Sequence, residues 1–326
     1  MATSVSLFLQ NFVLTKRKEY KMNTTTIVMT GGTSGFGLVT AKKLIEANNV
    51  NLILGNRNTS VKGAINIPLE LSSLHNVHSF AEEVIRRLNE DKIGALIFNA
   101  GTNYPGITTQ TKDGIETNFG VNHLSHFYLL HLFMLHLAGN AKIIITTSGT
   151  IDPATNTFGS PPKHANVLWL AYPKMDETLE EDDKINGQRA YASSKLCNLL
   201  TAIQINKLPE AKQNNWEGIA YDPGVTPGTG LVRYSDEAMK ILSQQLTDPK
   251  VRKEKFPMAN SIEDAGNTLA DIALGTIMPP QNKYVALRGG KIKFIAPPGL
   301  AQNKEAAKKV WQDTVFILKD KLGLTY

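Results

Sequence analysis

Short apolar runs alternate with longer amphipathic segments along the chain from Thr26 onward. The runs are rich in β-branched side chains and apolar at most positions, which favours strands that are buried on both faces of a parallel sheet. We predict seven strands: Thr26–Met29, Asn51–Leu54, Ala64–Ile67, Ala95–Phe98, Lys142–Thr146, Gly218–Tyr221 and Tyr284–Leu287.

The intervening segments place apolar residues at helical spacing. The last of them starts after Ser261, a residue type that favours the N-cap, and repeats apolar side chains from Ile262 to Ile272. We predict helices over Gly35–Asn48, Leu74–Asn89, Asp113–Ala138, Gln188–Leu208 and Ile262–Gly275. Strands that alternate with helices predict an α/β fold, a doubly wound Rossmann-type parallel seven-stranded sheet with helices on both faces.

Two stretches are too long for compact crossovers, residues 149–186 and 227–260. We expect residues 23–326 to form a single Rossmann-type domain, with these stretches inserted as a roof over a substrate. Trp169, Leu170 and Tyr172 are candidate lining residues of the first insertion. A surface excursion without function is the alternative.

Residues 1–22 precede the alternating pattern. Their apolar part comes before the basic run Lys16–Lys18, the reverse of the order in a secretory signal. We expect a disordered extension, with membrane-surface association or organelle targeting as the alternative.

Composition limits the compartment and the class of protein. The 326 residues include one cysteine, Cys197, which cannot form an internal disulfide, so we expect a reducing, cytoplasmic location. The longest apolar stretch, residues 127–138, is shorter than the roughly 18 residues of a membrane span, so none is predicted. The net charge of +6 comes from scattered basic residues without interleaved aromatic ones, and we predict no nucleic-acid binding.

Four histidines lie close together in the sequence and could suggest a metal site. They do not share one helical face, and no nearby carboxylate completes a ligand set, so no metal is predicted. These are His123, His126, His131 and His136.

A glycine-rich segment links the first strand to the first helix. Glycine allows a positive φ and a close approach of the backbone to a pyrophosphate, which the positive end of the helix attracts. We predict a dinucleotide site here, and a tight turn without a ligand is the alternative. The candidate contacts are Gly31, Thr33, Ser34, Gly35, Phe36 and Gly37.

The second strand is followed by Asn56 and Arg57 rather than by an acidic residue. A carboxylate at this position would accept a hydrogen bond from the 2′-hydroxyl of NAD, whereas a guanidinium suits the 2′-phosphate of NADP. Arg57 therefore predicts NADP(H) as the cofactor. A solvated surface arginine would leave the choice open.

Further polar residues occur at strand ends and in two helices: Asn99-Ala100-Gly101, Asn122, Ser148 and Tyr191-Ala-Ser-Ser-Lys195. With the glycine motif, this ordered set resembles the short-chain dehydrogenase/reductase superfamily from about Thr26 to Leu287. The resemblance implies hydride transfer between a small-molecule substrate and a nicotinamide. It also implies that Asn99, Ala100, Gly101, Tyr191 and Lys195 contact the cofactor.

The chemistry gives the four catalytic candidates their roles. A carbonyl that accepts hydride needs a proton, but a free tyrosine, with a pKa near about 10, is a poor base at neutral pH. We expect Lys195, one helical turn from Tyr191, to lower the pKa of that phenol. Ser148 is expected to hydrogen-bond the substrate oxygen, and Asn122 to hold a water near Lys195 for proton relay.

Pro223-Gly224 matches the superfamily's turn whose backbone faces the nicotinamide amide. Thr226 and Thr229 are both candidates to cover that ring, and we favour Thr229. Relatives in the superfamily pair through long helices, so a homo-oligomer is possible, although an apolar helix face serves a core equally well.

Several segments resemble the light-dependent protochlorophyllide reductases, a subgroup of that superfamily: Pro161-Pro162-Lys163, Asn186-Gly187, Cys197-Asn198, Thr229-x-Leu231-x-Arg233 and Ala307-Lys308-Lys309-Val310-Trp311. In that subgroup a cysteine after the Pro-Gly pair is implicated in catalysis. This chain has Val225 there, which has no dissociable proton.

We therefore predict an NADP(H)-dependent enzyme that interconverts a carbonyl and an alcohol on a fairly large organic substrate. The first alternative is a light-dependent protochlorophyllide reductase-like enzyme that reduces a C=C bond. The second is a non-catalytic NADP-sensing protein, which would need no proton relay.

Overall fold

The computed structural model describes residues 24–155, 159–303 and 305–323. The extension predicted for residues 1–22 lies outside these ranges. Eight strands are present in the described residues: β1 Thr25–Thr30, β2 Val50–Asn56, β3 Ile65–Pro68, β4 Ile93–Phe98, β5 Leu137–Thr146, β6 Glu217–Asp222, β7 Tyr284–Arg288 and β8 Lys291–Ile295.

These strands form one sheet in the order β3-β2-β1-β4-β5-β6-β7-β8. Every neighbouring pair is parallel except β7 and β8, which run antiparallel. The chain moves outward from β1 to β3, returns to β4 beside β1, and continues to the other edge. The carboxyl ends on either side of that reversal leave a crevice, where ligands bind in doubly wound folds.

Helices cover both faces of the sheet, which confirms the predicted doubly wound architecture. The helices are α1 Gly35–Glu46, α2 Leu74–Leu88, α3 Thr117–Phe119, α4 Ser125–Phe133, α5 Val167–Ala171, α6 Asp183–Ile205, α7 Pro209–Asn214, α8 Glu237–Gln245, α9 Pro249–Lys255, α10 Ile262–Leu274 and α11 Ala306–Leu322.

The hydrophobic core lies in two layers, one on each face of the sheet. Phe80 of α2 and Leu199 of α6 belong to one apolar cluster, which α4 and α11 also join. Leu44 of α1 and Leu269 of α10 belong to the other. Among the described residues, no helix has the length and apolarity needed to cross a membrane.

The prediction of seven strands was wrong by one. The eighth strand, Lys291–Ile295, follows β7 through Gly289 and Gly290, whose φ values are 56° and 71°. Two consecutive glycines with positive φ suit a tight hairpin turn. The strand lies at the sheet edge with its residues exposed or half-buried, so its alternating lysine and apolar residues carry only a weak strand signal.

The helix predicted over Asp113–Ala138 starts later and ends earlier. Residues 113–116 form a turn, and the Glu116 carboxylate accepts hydrogen bonds from the backbone N–H groups of Asn118 and Phe119 to cap α3. A π-helical segment, Gly120–Leu124, joins α3 to α4, and the chain enters β5 at Leu137 after a 3₁₀ turn.

The helix predicted over Gln188–Leu208 begins five residues earlier, at Asp183. The Asp182 side chain caps it by accepting a hydrogen bond from the Lys184 N–H. Helices α5, α7, α8, α9 and α11 were not predicted. Each of α5, α7, α8 and α9 has nine residues or fewer, too short for a clear periodic signal.

Candidate active site

A cleft of about 610 Å³ lies at the carboxyl ends of β1, β4, β5 and β6. All of the residues predicted to contact a cofactor line it, together with Ser148. Asn122 is the one predicted catalytic residue that does not line the cleft, and it lies fully buried directly behind it.

The glycine segment is shaped by contacts that leave no room for side chains. Gly31 has a φ of 70°, and a Cβ there would lie 2.6 Å from the Ala100 nitrogen. A Cβ on Gly37 would lie 2.0 Å from the Gly31 carbonyl oxygen. The N-cap of α1, Ser34, makes no side-chain capping bond, and the first turn has no acidic residue. The N–H groups at this helix end are therefore available to an anion such as a pyrophosphate, and the site fits a dinucleotide.

Thr30 connects the glycine turn to β4. Its Oγ1 accepts hydrogen bonds from the backbone N–H groups of Asn99 and Ala100, both at 3.1 Å. The Asn99 side chain in turn donates to the Gly31 carbonyl at 3.0 Å. The ends of β1 and β4 are thus held at a fixed separation beneath the cleft.

Tyr191, Ser148 and Lys195 come together at the centre of the cleft. The Tyr191 hydroxyl is hydrogen-bonded to the Ser148 side chain. The Ser148 Oγ accepts hydrogen bonds from the Thr150 N–H and Oγ1 at 3.3 and 3.1 Å, which orients its own hydroxyl. The Lys195 Nζ lies 5.9 Å from the centre of the Tyr191 ring and donates to the Thr146 carbonyl at 3.2 Å.

The lowering of the Tyr191 pKa by Lys195 stays a prediction, and other groups shift that pKa in the structure. Burial raises the pKa of Tyr191 to about 12, against a lowering by the Ser148 hydrogen bond, and the nearby Asp222 charge raises it further. Burial also lowers the pKa of Lys195 to about 8. Loss of solvation is the largest of these effects, and it favours the protonated phenol at neutral pH.

The Asn122 side chain is fixed by the loop after β4. Its Oδ1 accepts from the Thr102 N–H at 2.8 Å, and its Nδ2 donates to the Thr102 carbonyl and to the Ser194 hydroxyl. A Cβ on Gly101 would lie 3.2 Å from Asn122 Oδ1 and 3.3 Å from Lys195 Nζ. Asn122 and Lys195 thus approach the same glycine.

The main-chain carbonyl of Asn122 lies in the π-helical segment and has two side-chain partners. Asn198 Nδ2 donates to it at 3.1 Å, and His126 Nδ1 lies at the same distance. The other His126 nitrogen lies 2.9 Å from the Thr30 hydroxyl, and burial lowers the pKa of His126 to about 3. A neutral His126 whose Nε2 accepts a hydrogen bond from the Thr30 hydroxyl and whose Nδ1 donates one to the Asn122 carbonyl satisfies these contacts.

Arg57 is exposed at the end of β2 and lines the cleft. Sequence reasoning missed several other residues that line the cleft. They include Tyr104, on the loop after β4, and Thr117 and Val121, on the α3 and π-helical segments. The run Leu69–Ser72 also contributes, and its position directly after the third predicted strand was a usable signal.

The segment after β6 covers the cleft, and we call residues 227–246 the lid. The methyl group of Thr229 lies 3.2 Å from where a Cβ of Gly35 would be. The Tyr234 ring stacks on Tyr104 with centroids 4.3 Å apart, and their hydroxyls are 3.2 Å apart. Asp236 pairs with Lys184 at 2.9 Å. The lid therefore contacts opposite rims of the cleft.

The placement expected for Trp169, Leu170 and Tyr172 was wrong. Leu170 is buried in the core, Tyr172 packs against it, and none of the three lines the cleft. Leu170 and Tyr172 instead belong to the apolar layer that α11 joins, and Trp169 packs edge-on against His164. The first insertion contributes four other residues to the cleft wall: Gly149, Thr150, Gly159 and Lys184.

The described residues contain no group of three or more histidine, cysteine, aspartate or glutamate side chains arranged to hold a metal ion. Cys197 is a buried free thiol, and burial raises its pKa. It does not line the cleft, whereas Val225 does.

Comparison with known proteins shows a consistent likeness. Residues 25–157 match the family model described as short chain dehydrogenase. The chloroplastic protochlorophyllide reductase of Daucus carota is 31% identical over 316 residues, which cover 88% of this chain and 76% of the relative. Protochlorophyllide reductase B of Oryza sativa subsp. japonica is 29% identical over 313 residues, which cover 88% of this chain and 75% of the relative.

Solved structures share the fold. An uncharacterized protein from Mycobacterium Paratuberculosis aligns with a TM-score of 0.63 at 23% identity, covering 92% of this chain and 96% of that one. An NADPH-bound carbonyl reductase from chicken fatty liver aligns with a TM-score of 0.52 at 16% identity, covering 78% of this chain and 88% of that one.

Proposed function

The chain belongs to the short-chain dehydrogenase/reductase superfamily of oxidoreductases, and from this membership we propose that it uses NADP(H) to interconvert a carbonyl and an alcohol on a fairly large organic substrate. The observation that carries the proposal is the meeting of Tyr191, Ser148 and Lys195 beside the glycine turn in one cleft. A protein that only senses a nucleotide has no use for this arrangement.

The glycine turn and the start of α1 would hold the pyrophosphate, and Arg57 the 2′-phosphate. When bound, the reduced nicotinamide supplies a hydride to the carbonyl carbon of the substrate. Ser148 orients the substrate oxygen, and Tyr191 gives it a proton. Lys195, whose pKa is lowered to about 8, can return a proton to Tyr191 near neutral pH.

The lid supports the choice of a large substrate. It presents mainly apolar side chains to the cleft, so an apolar body can be enclosed away from water. These residues are Leu231, Val232, Met239, Leu242 and Leu246.

Arg57→Ala is expected to weaken NADPH binding by about 10- to 100-fold, because a charge-assisted contact to a phosphate contributes about 1.5–3 kcal/mol. NADH has no 2′-phosphate, so its affinity should change by less than about twofold. Fluorescence titration of both cofactors checks this, with the exposed Arg87→Ala on α2 as the control. Equal losses of affinity for NADPH and NADH would show that Arg57 does not bind the 2′-phosphate.

Tyr234→Ala is expected to speed hydrogen exchange across residues 227–246 about fivefold, since an aromatic stack contributes about 0.5–1.5 kcal/mol to keeping the lid closed. Tyr234→Phe keeps the ring and serves as the matched control. Mass-spectrometric hydrogen exchange on the free protein measures the effect. The same exchange rates in both variants would show that the stack with Tyr104 does not hold the lid.

A light-dependent reductase is the second candidate, because the curated relatives above carry the name protochlorophyllide reductase. Val225 and the buried Cys197 favour carbonyl reduction that needs no light, since neither gives the cleft a dissociable thiol. NADPH oxidation in the dark with aldehydes, ketones and quinones would support the main proposal. A pigment that co-purifies and turns over only under illumination would support the second candidate.

We propose a cytoplasmic location. The single cysteine supports it, because a chain that cannot form an internal disulfide suits a reducing compartment. The word chloroplastic in the relatives' names describes those proteins.

A further inference from the structure

His126 is a buried histidine of α4 that bridges two parts of the site from behind the cleft. The residue is 2% exposed and does not line the cleft. Its ring stacks on Phe98, the last residue of β4, with ring centroids 5.1 Å apart. Its Nε2 lies 2.9 Å from the Thr30 hydroxyl, at the end of β1, and its Nδ1 lies 3.1 Å from the main-chain carbonyl of Asn122. The ring therefore connects a strand end to the π-helical segment.

The partners of the ring determine which of its nitrogens carries the proton. A carbonyl oxygen can only accept, so the His126 Nδ1 must donate to Asn122. The Thr30 Oγ1 accepts from the backbone N–H groups of Asn99 and Ala100, and these two bonds occupy its lone pairs. Its own O–H must then donate to the His126 Nε2. The ring is therefore neutral and protonated at Nδ1, and the direction of each hydrogen bond in the bridge is fixed.

The Thr30 end of the bridge belongs to the cofactor site. We call Thr30 and the two residues that donate to it, Asn99 and Ala100, the floor of that site, since all three line the cleft. The Asn99 side chain also donates to the Gly31 carbonyl at 3.0 Å. A Thr30 hydroxyl that loses its partner on the other side can turn, and the floor and the glycine turn are then held less firmly.

The Asn122 end of the bridge belongs to the proton site. The Asn198 Nδ2 donates to the main-chain carbonyls of both Asn122 and Thr146, each at 3.1 Å. The Thr146 carbonyl also accepts from the Lys195 Nζ at 3.2 Å. One asparagine side chain thus ties the carbonyl that His126 contacts to the carbonyl that holds Lys195.

We propose that His126 is a positioning residue that holds the π-helical segment at a fixed distance from the floor of the cofactor site, so that Lys195 is aligned with a bound nicotinamide. The inference rests on the proposed function, in which Lys195 returns a proton to Tyr191. His126 itself transfers no proton. Burial lowers the pKa of the ring to about 3, and the Lys195 and His123 charges act in the same direction, so the ring stays neutral.

The test separates the two halves of the bridge. An asparagine side chain places its amide where the Nδ1 of a histidine lies, and a glutamine side chain reaches the place of the Nε2. His126→Asn therefore keeps a donor for the Asn122 carbonyl and loses the bond to Thr30. His126→Gln keeps an acceptor for the Thr30 hydroxyl and loses the bond to Asn122. His126→Phe keeps a ring against Phe98 and loses both bonds.

The variants should affect two different constants. In His126→Gln we expect kcat to fall about tenfold and NADPH affinity to stay within about twofold of the wild type. In His126→Asn we expect NADPH affinity to fall about tenfold, while kcat at saturating NADPH stays within about threefold. His126→Phe should show both losses. Fluorescence titration with NADPH and steady-state kinetics with a carbonyl substrate measure the two constants.

His131→Phe is the matched control on the same helix. The His131 Nδ1 also bonds to the carbonyl four residues earlier, that of Phe127, at 3.0 Å. His131 does not line the cleft, so the loss of this bond should leave both constants at their wild-type values. Equal losses of kcat and NADPH affinity in His126→Asn and His126→Gln would show that the residue only fills space. Either that result or wild-type constants in both variants would overturn the inference.

A spectroscopic measurement on the wild type tests the bridge even if a variant does not fold. Long-range ¹H–¹⁵N NMR of the free protein distinguishes the two neutral forms of a histidine ring from the charged form. Between about pH 6 and pH 8 we expect His126 to be protonated at Nδ1 and unprotonated at Nε2. A ring protonated at Nε2, or at both nitrogens, cannot make both bonds and would overturn the inference.

Failure of the proposed function gives a different result. If Tyr191→Phe kept full turnover, the proposed proton step would fail, whereas a lower NADPH affinity in His126→Asn than in His126→Gln would still show that the bridge supports the cofactor site. If Tyr191→Phe is inactive and the two His126 variants have the same constants, the proposed function survives and the inference does not.

Discussion

Tyr191→Phe should lower kcat by about 10²- to 10⁴-fold, the usual contribution of a positioned acid–base group. The variant removes the proton that the substrate oxygen needs and keeps the ring that packs beside Lys195. NADPH affinity should change by less than about threefold, because the phenol makes only a small part of the cofactor contact. Steady-state kinetics and a cofactor titration measure the two effects.

Tyr172→Phe is the matched control for that experiment. Tyr172 packs against the core and lies near Lys321, away from the cleft. It should keep wild-type kcat. An unimpaired Tyr191→Phe enzyme would show that the proton comes from another group.

Gly37→Ala should abolish measurable cofactor binding, with a loss of at least about 100-fold in NADPH affinity. Its Cβ would lie 2.0 Å from the Gly31 carbonyl oxygen and 2.7 Å from the Asn99 Nδ2. Both are held in place, so the glycine turn must move, and a misplacement of about 1 Å is enough to disrupt a pre-formed site. Isothermal titration calorimetry with NADPH measures the loss.

Gly139→Ala is the control for the glycine substitution. A Cβ there would have the Asn214 carbonyl oxygen at 3.9 Å as its nearest neighbour, an ordinary contact. The two variants add the same methyl group, so a difference in their NADPH affinities measures the effect of disturbing the glycine turn. Retained NADPH binding by a folded Gly37→Ala protein would contradict the assigned cofactor site.

The sequence was sufficient to predict the parts of the fold that have strong periodic patterns. All seven predicted strands are present, because continuous apolar runs bounded by polar residues are typical of a parallel sheet buried on both faces. The glycine motif and the Tyr191–Lys195 spacing located one cleft, because the carboxyl ends of parallel strands meet at one edge of the sheet.

Features that depend on tertiary contacts could not be predicted. The lid helix α8 is short, and the position of the lid depends on contacts such as Tyr104–Tyr234, which join residues 130 positions apart. The ionisation of Tyr191 depends on how deeply the phenol is buried. The sequence places Lys195 one helical turn away, but it does not reveal the loss of solvation that raises the pKa of the phenol.

The π-helical segment Gly120–Leu124 is a further case. Its sequence is compatible with an ordinary helix, and the helical period alone predicted one. In the structure, the Asn122 carbonyl accepts a hydrogen bond from Asn198, 76 residues away on α6, and this contact is not visible in a local pattern.

The most direct test of the central claim is the oxidation of NADPH by purified protein in the dark, followed at 340 nm with a panel of carbonyl substrates. We predict turnover by the wild type with at least one large apolar aldehyde, ketone or quinone, and at least about a 100-fold lower rate for Tyr191→Phe. Equal rates for the two proteins, or turnover that requires illumination, would contradict the account.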